Sequence, residues 1–160
     1  MLENNVNPEF MREAIRLSRA KMQGNHGGPF GAIVVRNGRI VGRGWNQVTS
    51  TNDPTAHAEV VAVRAACKKL KRFHLDDCEL YTSCEPCPMC LGALYWARIQ
   101  RVYYANTRKD AAQIQFDDAL IYREIKLPLS RRRIPMRQLL RNEAQQVFKL
   151  WAAKSDKVSY

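Results

Sequence analysis

Two short stretches of this chain carry residue types that hold metals and move protons. "TAHAEVVAVRAAC" begins at Thr55 and contains His57 and Glu59, and "TSCEPCPMC" begins at Thr82 and contains Cys84, Cys87 and Cys90. Cys87 and Cys90 are three apart, so at the start of a helix their sulfurs share one face and reach one ion. Helix N-termini also favour thiolate over thiol, because exposed N–H groups and the helix dipole stabilise negative charge. Zinc accepts this mixture of imidazole and thiolate donors. His57, Cys87 and Cys90 then supply three ligands and leave a fourth position for water, the arrangement of a catalytic site. With Cys84 as fourth ligand the same residues make a closed structural site. Pro86 separates Cys84 from the following helix and biases Glu85 toward extended backbone, which puts Cys84 on the strand-to-helix connection and off the ligand face. Glu59 points the same way, since an activated water needs a nearby base and a structural site does not. Its plainer role is a helix-starting charge.

The elements that must position these residues are legible in outline. Asn7 caps a helix that opens with Pro8 and carries Phe10, Ala14, Leu17 and Met22 as an apolar stripe. "GNHGGPFG" breaks it. "AIVVRNGRIVGRG" is two β-branched runs around Asn37-Gly38, a strong hairpin signal. After the polar loop "NQVTSTNDPT", a helix is expected from about Ala56 to Arg72. "CELYT" reads as a strand, Cys87 to Ala97 as a helix and "RVYYA" as a strand. This alternation predicts an α/β sandwich. Beyond Asn106 the pattern weakens until "EAQQVFKLWAAK", expected to be a terminal helix. The chain reads as a single domain over residues 1–160, its last helix and tail starting at about residue 140.

Composition bounds the function. At 160 residues and 46% hydrophobic, one core is affordable and two are not. No apolar run approaches the roughly 20 residues that span a bilayer. The N-terminus has neither the basic nor the apolar region of an export signal, so a cytoplasmic domain is expected. Five cysteines, three of them clustered, then favour metal binding or catalysis over disulfides. The net charge is +11, with Arg123, Lys126, Arg131, Arg132, Arg133, Arg137 and Arg141 in the C-terminal third. Such a face attracts phosphates, yet no stacking aromatics interleave the arginine run, and a solvated surface accounts for it.

His57-Ala58-Glu59 followed by Pro86-Cys87-Pro88-Met89-Cys90 is the signature of zinc-dependent nucleobase deaminases. With "GGPFGAIVV", "NDPTAHAEVVAVRAAC", "LYTSCEPCPMCLGALYWAR" and "FDDALIY", the chain resembles the bacterial guanine deaminases of the cytidine deaminase-like superfamily. The resemblance covers roughly residues 10 to 125 and, more loosely, the final helix. It implies a three-layer α/β/α sandwich with a mixed central sheet and helices on both faces. It also implies one zinc per chain, held by His57, Cys87 and Cys90, and hydrolysis of guanine to xanthine and ammonia. Glu59 would carry the proton from water to a ring nitrogen, and Asp118 would bind the exocyclic amine and help move protons. Asn46 would hold the base edge, Phe30 and Trp96 would wall the pocket, and His57 would border it. Tyr160 would close the pocket. The C-terminal segment would be exchanged between the subunits of a homodimer.

Each position has a plainer alternative: Asn46 as a loop cap, Phe30 and Trp96 as packing, Asp118 as a helix-starting charge. The rival substrate is adenosine in tRNA, flipped into the same pocket, with the arginine run on the phosphates. "FDDALIY" and the terminal tyrosine favour guanine. Another amino-heterocycle such as ammeline fits a similar pocket. The non-enzymatic alternative is a structural zinc module that binds RNA, with Cys84 on the metal and Glu59 idle.

Overall fold

The structure, a computed structural model, describes residues 6–159. Helix α1 (Pro8–Gln23) begins as its sequence dictates, with Asn7 Oδ1 accepting the Glu9 N–H at 3.0 Å and Pro8 in the first turn. Ala14 and Leu17 are buried, with Phe10 packed beside them. Met22, expected on the same stripe, is exposed. At 3.6 residues per turn it stands about 140° round the helix from Leu17, off the buried row.

The hairpin follows. β1 (Gly31–Arg36) and β2 (Arg39–Trp45) pair antiparallel around Asn37 and Gly38, whose φ values of 48° and 71° suit the two-residue turn that matches strand twist. A single helical turn, α2 (Val48–Thr51), leads to α3 (Ala58–Leu70). α3 is shorter at both ends than the expected 56–72. His57 is its extended N-cap, and Lys71 leaves it in the left-handed region. β3 (Cys78–Cys84) runs two residues past "CELYT". α4 (Pro88–Trp96) and β4 (Arg101–Asn106) complete a crossover, and a short helix, α5 (Arg108–Gln113), is capped by Thr107 and Asp110.

The sheet order is β2-β1-β3-β4, antiparallel except for the β3/β4 pair. β1 is buried from Gly31 to Val35, so its unbroken apolar run has core on both sides. Ala32 and Val34 pack with Leu80, Leu94 and the α3 alanines on one face. Ile33, Val35 and Tyr81 pack with Ala14 and Leu17 of α1 on the other. Helices thus cover both faces of a mixed sheet, as the resemblance implied.

How closely α3 lies on the sheet is set by missing side chains. A Cβ at Gly44 would sit 2.1 Å from the Ala58 carbonyl oxygen, and one at Gly42 would sit 2.4 Å from that of Ala62. Ala58, Ala62 and Ala66 recur every fourth residue and are fully buried, so small residues face small residues along the whole contact. This fixes the position of the α3 N-terminus against the strands.

The chain divides into two compact units, residues 1–118 and 119–160. The second contains α6 (Ala119–Lys126), a short 3-10 turn at Leu129–Arg131 and α7 (Arg141–Ala153). Neither of its α-helices buries a residue, although α7 lies where the sequence predicts a terminal helix. Among the described residues no helix is long and apolar enough to cross a membrane.

Two glycine substitutions test the packing. Gly44→Ala should lower stability in urea by about 1–3 kcal/mol or prevent folding, since a helix backbone stands in the way. Gly92→Ala, inside α4 with nothing within 4 Å of the added carbon, should raise it by about 0.5–1 kcal/mol. A Gly44→Ala protein as stable as its parent would show that α3 does not rest on β2.

Candidate active site

Two helix starts meet beyond the end of β3. His57 caps α3 and Cys87 caps α4, each with extended backbone, and Cys90 lies in the first turn of α4. The ligand atoms of His57, Cys87 and Cys90 all lie within 4.8 Å of one another, the one such group among the described residues. His57 Nδ1 is 3.6 Å from Cys87 Sγ and 3.5 Å from Cys90 Sγ. Zinc bonds of about 2.0 Å to nitrogen and 2.3 Å to sulfur, at a tetrahedral angle, put those atoms about 3.5 Å apart. Spacing and donor chemistry both fit zinc.

The charges are arranged for a cation. The Cys87 thiol is held down to about 4, first by the hydrogen bond from Cys90 and then by His57. The Cys90 thiol is pushed up, because without a cation it keeps the proton it shares with Cys87. A divalent ion held by both sulfurs would supply the charge that favours their thiolates. Cys84 differs. It ends β3, paired with Asn106, where a connecting loop was expected. Its thiol is raised to about 11 by burial and donates to the Thr107 carbonyl at 3.7 Å.

Glu59 is in the first turn of α3 and only 5% exposed. Burial pushes its carboxyl above the ordinary carboxylate range, against the hydrogen bonds it accepts. Oε1 accepts the Thr82 hydroxyl at 3.0 Å, and Oε2 is 3.4 Å from Cys90 Sγ. A carboxyl so placed can both take and return a proton. Asp118 is half-buried, and its carboxyl is raised first by burial and then by the negative Cys87.

Asn46, buried just after β2, does cap its loop: Oδ1 accepts the Val48 N–H at 3.2 Å and lies 3.5 Å from the Gly28 nitrogen. Gly27, at φ 147°, allows the neighbouring loop to pass against the Asn46 carbonyl. Phe30 is half-buried, its ring edge-on to Phe116 at 4.8 Å between centroids.

The family follows from the sequence around this cluster. The family described as the cytidine and deoxycytidylate deaminase zinc-binding region matches residues 4–106. The chain belongs to that deaminase family. Among its deaminase relatives, the guanine deaminase of Bacillus subtilis is 50% identical over 151 residues, 94% of this chain and 97% of that one. The X-ray structure of guanine deaminase from Bacillus subtilis superposes with a TM-score of 0.94 at 49% identity, over 96% of this chain and 98% of the other. A tRNA-specific adenosine deaminase of Buchnera aphidicola is 36% identical over 120 residues, 74% of this chain and 76% of its own. Zinc is accordingly the metal of the site, and His57, Cys87 and Cys90 are the residues that fit it.

Two residues that the resemblance assigns to the pocket are not part of the buried cluster among the described residues. Trp96 is the last residue of α4 and 70% exposed, and Tyr160 lies outside the described residues. Two pairings are added by the structure, Phe116 against Phe30 and Thr82 against Glu59. Phe116 begins the "FDD" word, and an aromatic residue there is a visible signal in the sequence. Thr82 gave no signal, since a threonine in a strand is ordinary.

Metal content should separate ligands from bystander. Cys87→Ser and Cys90→Ser should lose stoichiometric zinc, whereas Cys84→Ser should keep it. Zinc affinity should fall as pH falls, because the ion displaces the proton held at Cys90 and must compete for His57, whose basicity is raised by its hydrogen bond with Cys87. Zinc lost from Cys84→Ser, or an affinity indifferent to pH, would argue for a different ligand set.

Proposed function

We propose that this protein is a zinc-dependent guanine deaminase, which hydrolyses guanine to xanthine and ammonia. The observation that carries the reading is the match to a guanine deaminase over nearly the full length of both chains. The tRNA-specific relative matches fewer residues at lower identity, and the arginine run then belongs to a solvated surface.

The residues divide the chemistry in a simple way. His57, Cys87 and Cys90 would hold the zinc, which would serve as the Lewis acid that lowers the pKa of a water molecule. Glu59 takes that water's proton and hands it to the ring nitrogen beside C2 as the oxygen adds to that carbon. The raised basicity of a buried carboxyl suits both halves of this transfer. The C2–N bond then breaks as Glu59 passes the proton of the added hydroxyl to the amine, so that the C2 carbonyl of xanthine forms and ammonia leaves. Asp118 accepts an N–H of the exocyclic amine. The Asn46 amide nitrogen donates to an acceptor on the purine edge, an assignment supported by the two backbone N–H groups directed at its oxygen. Phe30 offers a face for the base, and His57 borders it.

The partner is a purine base and, in our proposal, a second copy of the chain. The C-terminal segment is exchanged within a homodimer, and Trp96 and Tyr160 complete the pocket there. Large apolar side chains left in solvent support this: Leu91, Tyr95 and Trp96 on α4, and Phe148, Leu150 and Trp151 on α7. A soluble monomer rarely exposes so many. Residues 1–160 then act as a single deaminase domain with a swapped tail. The five free cysteines suit the reducing cytoplasm, where we place the protein.

Ammonia release should be fast with guanine and absent with adenine, cytidine, ammeline and a tRNA transcript. Release from tRNA alone would transfer the assignment to adenosine. Glu59→Gln should keep zinc and fold while kcat falls at least about a hundredfold, the ordinary size of a general acid–base contribution. Light scattering should give twice the chain mass, and a monomer would end the exchange model.

A further inference from the structure

The residues of β3 that face α3 are Cys78, Leu80, Thr82 and Cys84, and of these Thr82 alone brings a hydroxyl into the apolar layer. It is fully buried. Packing does not call for oxygen there: valine has nearly the same shape and favours strands equally. A buried hydroxyl without a partner is costly. The partner of Thr82 lies 23 residues away: its O–H donates to Glu59 Oε1 at 3.0 Å.

We propose that Thr82 is the positioning residue of the proton carrier: its hydroxyl anchors Oε1 of Glu59 and thereby turns Oε2 toward the reacting atoms. This rests on Glu59 as the carrier. The terminal torsion of a glutamate is broad, so an unanchored carboxylate samples many planes. Cys90 Sγ, 3.4 Å from Oε2, marks the edge that faces the metal ligands. As a thiolate ligand Cys90 has no proton to give, which leaves the Thr82 hydroxyl as the side-chain donor on this carboxylate among the described residues. Anchoring one oxygen leaves the other free to take and return a proton without reorganising. Thr82 touches neither substrate nor metal in this scheme. It acts only through Glu59.

Steady-state kinetics on zinc-loaded Thr82→Val, Thr82→Ala, Thr82→Ser and Glu59→Gln proteins tests this, with zinc content and Tm measured alongside. Removing the hydroxyl in Thr82→Val should lower kcat about tenfold or more, a misplacement effect. KM should stay within about twofold, because ground-state binding is untouched. Zinc should remain stoichiometric and Tm close to the parent. Thr82→Ser, which restores the donor but not the methyl group, should recover kcat to within about threefold of the parent. Thr82→Ala supplies the comparison without a hydroxyl if valine disturbs the fold. Parental kcat in the variants without a hydroxyl, equal losses in Thr82→Ser and Thr82→Val, or loss of zinc would each overturn the proposal. Full activity in Glu59→Gln would overturn the carrier reading itself, a result distinct from an inert Thr82 beside an essential Glu59.

Discussion

Helix α3 can bring His57 and Glu59 to the end of the sheet only because β2 offers it almost no side chains. Gly42 and Gly44 meet Ala58, Ala62 and Ala66 with backbone nearly touching backbone. A methyl group at Gly44 would stand 2.1 Å from the Ala58 carbonyl, and Ala58 lies between the histidine ligand and the glutamate. Dense interiors transmit such displacements, because no void absorbs them. The donor spacings of 3.5 and 3.6 Å at His57 are therefore a consequence of how closely one helix approaches one strand.

Environment then sorts groups that are chemically alike. Cys84 and Cys87 are three residues apart and face opposite fates. Cys84 ends a strand, keeps its proton through burial and spends it on a backbone carbonyl. Cys87 caps a helix beside a histidine and another thiol, and its thiolate is favoured. Glu59 and Asp118 are both pushed toward the protonated form. A thiol favoured as thiolate and carboxyls pushed toward the protonated form thus occur in one small site, because burial and neighbouring charge act on each group separately.

In the proposed function the choice of base falls to a backbone-engaged amide at Asn46, a half-buried ring at Phe30 and a carboxyl at Asp118. The cationic excess lies chiefly among residues 119–160, whose own helices bury nothing and expose both arginines and large apolar side chains. A segment built that way gains order from what it packs against, more than from its own core.

The pairing of Cys87 with Cys90, the hairpin and the first helix are legible in the sequence because each depends on residues close together in the chain. Spacing of three places two sulfurs on one helix face, Asn-Gly sets a turn, and Asn-Pro starts a helix. Met22 is exposed because five residues of helix carry it off the row of Leu17. The capping box of Thr107 and Asp110 is local too, but the six helical residues after it are too few to show a period. What tertiary structure alone decided was pairing at a distance. It set Thr82 against Glu59 and Phe30 against Phe116, engaged the Asn46 oxygen with backbone, placed Cys84 at a strand end, and divided the chain after Asp118. Such contacts join residues whose separation in sequence carries no period, so only the packed chain determines which of them meet.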